Sequence, residues 1–475
     1  MDKKRSTQNL LWLTVALVFP LTNIFWRPVP PNDYWWYLRL GAEIVNTRAV
    51  PVIESFSYTQ AGQPMIYHSW LSAVFFWALN ALGGINLTIL VAALFIASAY
   101  ALVWRMMVRN GLEARWASLL LILVEVASNQ NWAMRPQLFA YPIFVLSLYL
   151  LWDWEQGRDK YLWALPLLTL IWVNLHGSFA LVFLLAGAAF VFGKGDRKKM
   201  GLILALMFIA MLINPRGVGV SDYILNSLTN TSNQDYSVEW LPPVNEGFQA
   251  NLFFASYLIL MLLASISPRK LSLLAWSWLL GFGWLALSGS RYDIWYLFIF
   301  AVMSAALLAP MLKKKKPKKE QKENPAFNIL VIVMLVLLSF LFFPSVRTAW
   351  MPAAPAALSE DTPVEAAAWI RAHPELRDPI WANLTFESYL VYALPERPVW
   401  IDTRFEVYPE NHWDNYLAVS TARWNWEEIL LENDIQTLLL SLDVQKDLIT
   451  ALNTSPNWER IYTDQISTIY LRREP

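Results

Sequence analysis

The chain opens with MDKKRSTQNLLWLTVALVFPLTNIFW (1–26), three basic residues ahead of an apolar run that continues to Trp26 without a small-x-small cleavage site. This stretch reads as a signal anchor and therefore as a first membrane span. The next residues, RPVPPNDYWWYLRLG (27–41), turn polar at once and place Asn32 and Asp33 directly before an aromatic cluster. The same alternation of apolar run and polar loop continues along the chain. Of the 475 residues, 56% are hydrophobic and 16% charged, against about 25% charged in an ordinary soluble domain. That composition excludes a water-soluble enzyme and predicts a polytopic α-helical membrane protein.

At about 20 apolar residues per span, with shorter runs accepted where aromatics extend the interface, about eleven transmembrane helices are expected. They fall near 9–26, 86–104, 116–128, 138–152, 161–174, 178–192, 200–213, 252–265, 271–289, 294–311 and 327–343. The formal charge is zero, yet the basic residues segregate. Twenty-one of the 37 lie in six short segments: 3–5, 105–115, 158–160, 194–199, 269–270 and 313–322. The alternate loops contain six arginines and no lysine. Short cytoplasmic loops carry the Lys/Arg excess, so these six segments and the N-terminus are placed inside. The lysine run 313–322 then reads as a topology-setting loop.

The expected domains are a transmembrane domain, 1–343, with long outer loops at 27–85 and 214–251, and an extracytoplasmic domain, 344–475. In the first loop, WLSAVFFWALNALGG (70–84) is too short to span comfortably and suits a helix lying along the interface. The tail carries twenty acidic against ten basic residues, which argues against nucleic acid as a partner. TPVEAAAWIRAH (362–373) and VQKDLITALN (444–453) read as helices, and PVWID (398–402), IQTLLLSL (435–442) and ISTIYLRR (466–473) as strands. A small α/β domain is therefore expected. The chain has no cysteine, so neither a disulfide nor a thiolate metal site is available.

Glu125 is the main ionisable residue deep in a span, which weighs against an ion-coupled transporter, where midplane carboxylates are usual. Polar candidates collect instead at the predicted outer surface: Asp33, Arg39, Glu43, Glu54, His68, Arg135, His176, Arg216, Arg291 and Asp293. Arginine grips phosphate oxygens through paired donors, and a carboxylate can accept a proton from an attacking hydroxyl. Such a set beside a membrane suits a substrate with a phosphate or sugar head and a lipid tail. Alternatives stay open for each residue. Asn32 or Asp33 could cap the following helix, Arg135 could snorkel, and His176 could hydrogen-bond the backbone of its tight turn.

Taken together, NDYWWYLRLG (32–41), FSYTQAGQPMIYHSWL (56–71), RPQLF (135–139), WVNLHGSF (172–179) and FESYLVYALPERPVWIDTRFEVY (386–408) resemble a group of bacterial members of the GT-C superfamily of membrane glycosyltransferases. The last stretch is also faintly similar to oligosaccharyltransferase catalytic subunits. The resemblance implies a GT-C-like fold in the bacterial cytoplasmic membrane and transfer of a sugar from a polyprenyl-phosphate-linked donor to a lipid, glycan or protein acceptor outside. It makes Asp33 the acidic residue at the reacting centre, either activating the acceptor hydroxyl or binding a metal, with Glu54 assisting. Arg39, His68, Arg135, His176 and Arg291 become candidates for substrate binding. A divalent cofactor (Mg or Mn) is left open, because SNQNWAMRPQ (128–137) lacks the acidic pair with which oligosaccharyltransferases hold one. FESYL stands where they carry WWDYG, so recognition of a peptide sequon is not expected. A lipid-linked glycan ligase or polymerase, and a non-catalytic glycolipid-binding scaffold, are the alternatives.

Overall fold

A backbone threaded through hydrocarbon must pair every N–H and C=O within its own segment, so a long apolar run has to become a helix. The computed structural model, which describes residues 4–312 and 323–473, has a helix at each of the eleven expected positions. Four helical stretches among the described residues are long and apolar enough to cross a membrane: Thr7–Trp26, Trp70–Arg109, Gly247–Ile266 and Ser290–Leu312. A fifth span results if Pro325–Phe340 and Pro344–Trp350, bent by 83°, count as one. That bend has a local cause. Phe343 is extended before Pro344, as the pyrrolidine ring requires of its predecessor, and Pro344 begins the second helix. The other expected spans fall on helices of 12 to 19 residues, so length alone does not carry all eleven across. Residues 313–322, the expected topology-setting loop, lie outside the described residues.

By contact the chain divides into two compact units. The first comprises Met1–Arg27, Asn86–Val218 and Glu239–Ala354. Its centre is the helix Asp293–Leu312, buried on nearly every face, as an all-apolar helix inside a bundle should be. Ala114–Ser128, Gly247–Ile266 and Leu273–Ser288 pack around it. Glu125 is fully buried in this unit.

The second unit comprises Pro28–Ile85, Gly219–Val238 and Pro355–Pro475. It therefore joins the first long loop to the tail. Here four strands, β1 (Ile380–Ala382), β2 (Thr437–Ser441), β3 (Trp458–Thr463) and β4 (Ser467–Arg472), form one sheet in the order β1-β2-β4-β3. β1 runs parallel to β2, and β2–β4 and β4–β3 are antiparallel. Val364–Ala372 and Lys446–Thr454 are helical, as expected. Trp381, Trp400, Trp413, Tyr416, Leu438 and Tyr470 anchor a buried core beside the sheet.

One sequence expectation is corrected. PVWID is not a strand of the sheet; its single ladder contact is a bridge from Val399 to Ser57 in the first loop. The buried Glu387 takes the place of a neighbouring strand. Its carboxylate accepts from the Ala382 and Ile401 backbone N–H groups, both at 2.6 Å. A buried side chain thereby satisfies the backbone donors that a ladder would otherwise serve.

WLSAVFFWALNALGG is helical, and the helical run Trp70–Arg109 that contains it is interrupted at Gly83 and Gly84. Gly84 sits at φ 62°, ψ −164°, a conformation open essentially to glycine alone.

Candidate functional site

In the second unit, the helix Tyr34–Thr47 lies against the helix Leu384–Ala393. Trp35 meets Tyr389 edge to face at 4.9 Å between ring centroids, a favoured aromatic geometry. Asp33 occupies the N-cap position of Tyr34–Thr47 but makes no side-chain capping bond. Its Oδ1 instead accepts a hydrogen bond from the Thr403 hydroxyl at 2.5 Å. Capping, the simplest local use for an aspartate at this position, is not what its side chain does.

Next to Thr403 lies a buried charge cluster. Arg404, fully enclosed, donates to both oxygens of Glu54 (2.5 and 3.0 Å), to Asp402 (2.5 and 2.9 Å) and to the Tyr67 hydroxyl (3.1 Å). These contacts place all five guanidinium donors. Glu54 also accepts from the backbone N–H groups of Phe56 and Ser57 and from Tyr67, and Tyr408 donates to Asp402. Burial alone would push the Glu54 carboxyl up; Arg404 and the backbone donors outweigh it and hold the group below its ordinary value. Burial likewise opposes the charge on Arg404, and Asp402 with Glu54 reverses that, raising it well above the usual arginine range.

Among the other candidates of this unit, Glu43 feels the charge of Glu54. Arg39 is half-buried one helical turn before Glu43. Burial raises the Glu43 carboxyl, with Arg39 pulling against that shift. His68 stacks on Tyr223 with centroids 3.7 Å apart.

The first unit holds a separate group. Arg135, just before the helix Gln137–Glu155, pairs with Glu239. Arg291 lies over the Trp240 ring at 4.1 Å, and Ser290 ties the two loops together through hydrogen bonds to the Leu241 and Glu239 carbonyls. Burial raises the Glu239 carboxyl, but Arg135 and Arg291 bring it below its ordinary value. Two arginines converging on one carboxylate form a set that can also hold a phosphate oxygen. His176 lies in a tight turn, where its Nδ1 accepts from the Ser178 backbone N–H at 3.1 Å and faces the Ser178 hydroxyl at 2.7 Å.

Among the described residues no group of three or more His, Asp or Glu side chains is placed to hold a metal ion. Glu54 and Asp402 are engaged on Arg404. Among the described residues the side chains do not assemble a divalent-metal donor set.

Sequence reasoning missed Asp402, Thr403, Arg404 and Glu239. The first three lie in IDTR (401–404), where two charges at spacing two beside buried aromatics were a usable signal. Glu239 was legible only as an acid in an Asn- and Ser-rich loop.

No protein-family model matches the sequence, and no curated protein matches it significantly. The fold does have solved relatives. The Archaeoglobus fulgidus oligosaccharyltransferase AglB, in complex with an inhibitory peptide and a dolichol-phosphate, aligns over 100% of this chain and 75% of its own, at 12% identity and a TM-score of 0.62. Mycobacterial arabinofuranosyltransferase AftD aligns over 97% of this chain and 41% of its own, at 14% identity and a TM-score of 0.56. ArnT from Cupriavidus metallidurans aligns over 97% of both chains, at 13% identity and a TM-score of 0.50. These likenesses show the fold: over nearly its whole length the chain shares the fold of these glycosyltransferases, and among its described residues four helical stretches are long and apolar enough to cross a membrane.

Proposed function

We propose that the protein is a membrane glycosyltransferase that moves a sugar from a polyprenyl-phosphate-linked donor to an acceptor on the extracytoplasmic side of a bacterial cytoplasmic membrane. The observation that carries this reading is Asp33: an acid at a helix start, unused as a cap, hydrogen-bonded to Thr403, in a chain whose whole length follows the GT-C fold. AglB is described with a dolichol-phosphate, which supports a lipid phosphate as the donor's carrier.

In the proposed reaction Asp33 accepts the proton of the acceptor hydroxyl as that oxygen bonds to the anomeric carbon. The bond from that carbon to the phosphate oxygen breaks, and its electron pair leaves with the polyprenyl phosphate. Arg135 and Arg291, which flank Glu239 within the first unit, are proposed in their own right as phosphate-binding candidates, since guanidinium donors suit phosphate oxygens. Glu54 is assigned a positioning part, since it is 2% exposed and its oxygens are engaged on Arg404 and the backbone. Arg39, His68 and His176 remain candidates for sugar or acceptor contact.

The test uses purified protein in lipid nanodiscs, radiolabelled undecaprenyl-phosphate-linked hexoses and pentoses, and cell-envelope extract as acceptor. The readouts are polyprenyl phosphate release and label transfer. Asp33→Asn is expected to lower transfer by about 100-fold or more, the usual contribution of a positioned base, with unchanged expression. Full activity in that variant refutes the assignment. The likeness to AglB favours one second reading, transfer of a whole lipid-linked glycan. Product glycan length separates the two.

A further inference from the structure

Resting on the function proposed above, we propose that Thr403, backed by Ser388, is the residue that positions the Asp33 carboxylate for transfer. The cluster of Arg404 with Glu54 and Asp402 serves as its fixed mount. The hydrogen bonds have a forced direction. An ionised carboxylate only accepts, so the single hydroxyl proton of Thr403 goes to Asp33 Oδ1 (2.5 Å). Thr403 Oγ1, its own proton given to Asp33, accepts from the Ser388 hydroxyl 3.0 Å away, for which the Leu384 carbonyl at 3.4 Å is the longer alternative acceptor. Ser388 Oγ in turn accepts from the Thr403 backbone N–H at 3.2 Å. Ser388 is fully buried on the helix Leu384–Ala393, so the Ser388–Thr403–Asp33 chain starts from a rigid element.

Thr403 itself cannot drift, because both of its neighbours in sequence are pinned. Asp402 and Arg404 are at most 1% exposed. They bond to each other and, through Glu54, to the turn at Phe56 and Ser57. A threonine between two such residues has its backbone set before any substrate arrives. Its rotamer is the remaining freedom, and Ser388 removes it. Fixing a reacting group within a few tenths of an ångström is worth rate, since a displacement of about 1 Å costs about 100-fold. Nothing in this arrangement requires Thr403 to touch substrate, so it acts through Asp33 alone.

The positioning role predicts a particular kinetic pattern. Thr403→Val, close in shape but without the hydroxyl, is expected to lower kcat by about 10- to 100-fold with KM changed by less than about twofold. Thr403→Ser, which keeps the donor, is expected to retain most of the wild-type turnover. Ser388→Ala is expected to fall between them, and it carries the test if Thr403→Val does not fold. In a cryo-electron microscopy structure of Thr403→Val the Asp33 carboxylate is expected to leave its present position beside residue 403; this arm needs no turnover. Wild-type kcat in Thr403→Val, a raised KM at unchanged kcat, or an unmoved Asp33 carboxylate each overturns the proposal. If Asp33→Asn is inactive while Thr403→Val is normal, positioning fails and the proposed function stands. If Asp33→Asn is active, both fall.

Discussion

Removing Arg404 gives the sharpest test of how the second unit is held together. Arg404→Met keeps most of the side-chain volume and deletes the charge. In the wild type the guanidinium is fully buried against two carboxylates that are themselves at most 1% exposed. The variant therefore leaves two buried acids without their cation. Breaking a buried, hydrogen-bonded ion pair by deleting one partner costs about 3–5 kcal/mol, and here one deletion strands two acids. The neighbouring tyrosine and backbone donors soften the loss without cancelling it. For a unit of this size about 2–4 °C is lost per kcal/mol, so a drop of roughly 6–20 °C is expected in a tryptophan-fluorescence melt of the detergent-solubilised protein. Glu54→Gln, which keeps the shape and some hydrogen bonds, should cost less, about 1.5–3 kcal/mol. The double variant should cost less than the sum of the two, because removing the acid cancels part of what removing the arginine strands. A loss under about 1 kcal/mol for Arg404→Met, or strict additivity, would refute the view that charge pairing holds Thr403 in place.

Three further outcomes are expected. His412 Nε2 lies 3.0 Å from the Trp400 carbonyl, and burial pushes its pKa down to about 4 from an ordinary 6.5. The unfolded chain then binds the extra proton first, so stability should be complete above pH 6.5 and decline by about 3 kcal/mol towards pH 4; His412→Asn should flatten that slope in pH-dependent melts. Gly41→Ala would drive a Cβ into the Ala73 carbonyl and to 2.6 Å from the Trp77 Cβ, and melting should show about 1–3 kcal/mol of overpacking. Arg135→Ala should weaken binding of undecaprenyl phosphate by about tenfold or more, the worth of a charge-assisted hydrogen bond, as read by mass spectrometry of co-purified lipid; equal retention in both proteins would remove Arg135 from phosphate recognition.

Much of the architecture was legible in the chain because the membrane imposes a simple rule: an apolar run becomes a helix, and every expected span lies on one. The α/β tail was legible for a similar local reason, since IQTLLLSL and ISTIYLRR are dense in β-branched and large apolar residues. β1 and β3 were missed. Ile380–Ala382 is three residues long, and Trp458–Thr463 carries charges on its exposed positions, so neither shows a strong period. PVWID misled because its apolar pattern serves core burial rather than pairing, with Glu387 supplying the acceptors.

The functional site divides along the same line. That Asp33 is an acid just past an apolar span, with an aromatic helix after it, follows from the sequence alone, as do the arginines available for phosphate. What only the tertiary structure decided is the company these residues keep. Thr403 is 370 positions from Asp33 and Arg404 is 350 from Glu54. Local propensity and hydrophobic period act over a few residues, whereas these contacts exist because a loop and a tail bury their aromatic faces in one core, and burial then forces each charge to find its partner.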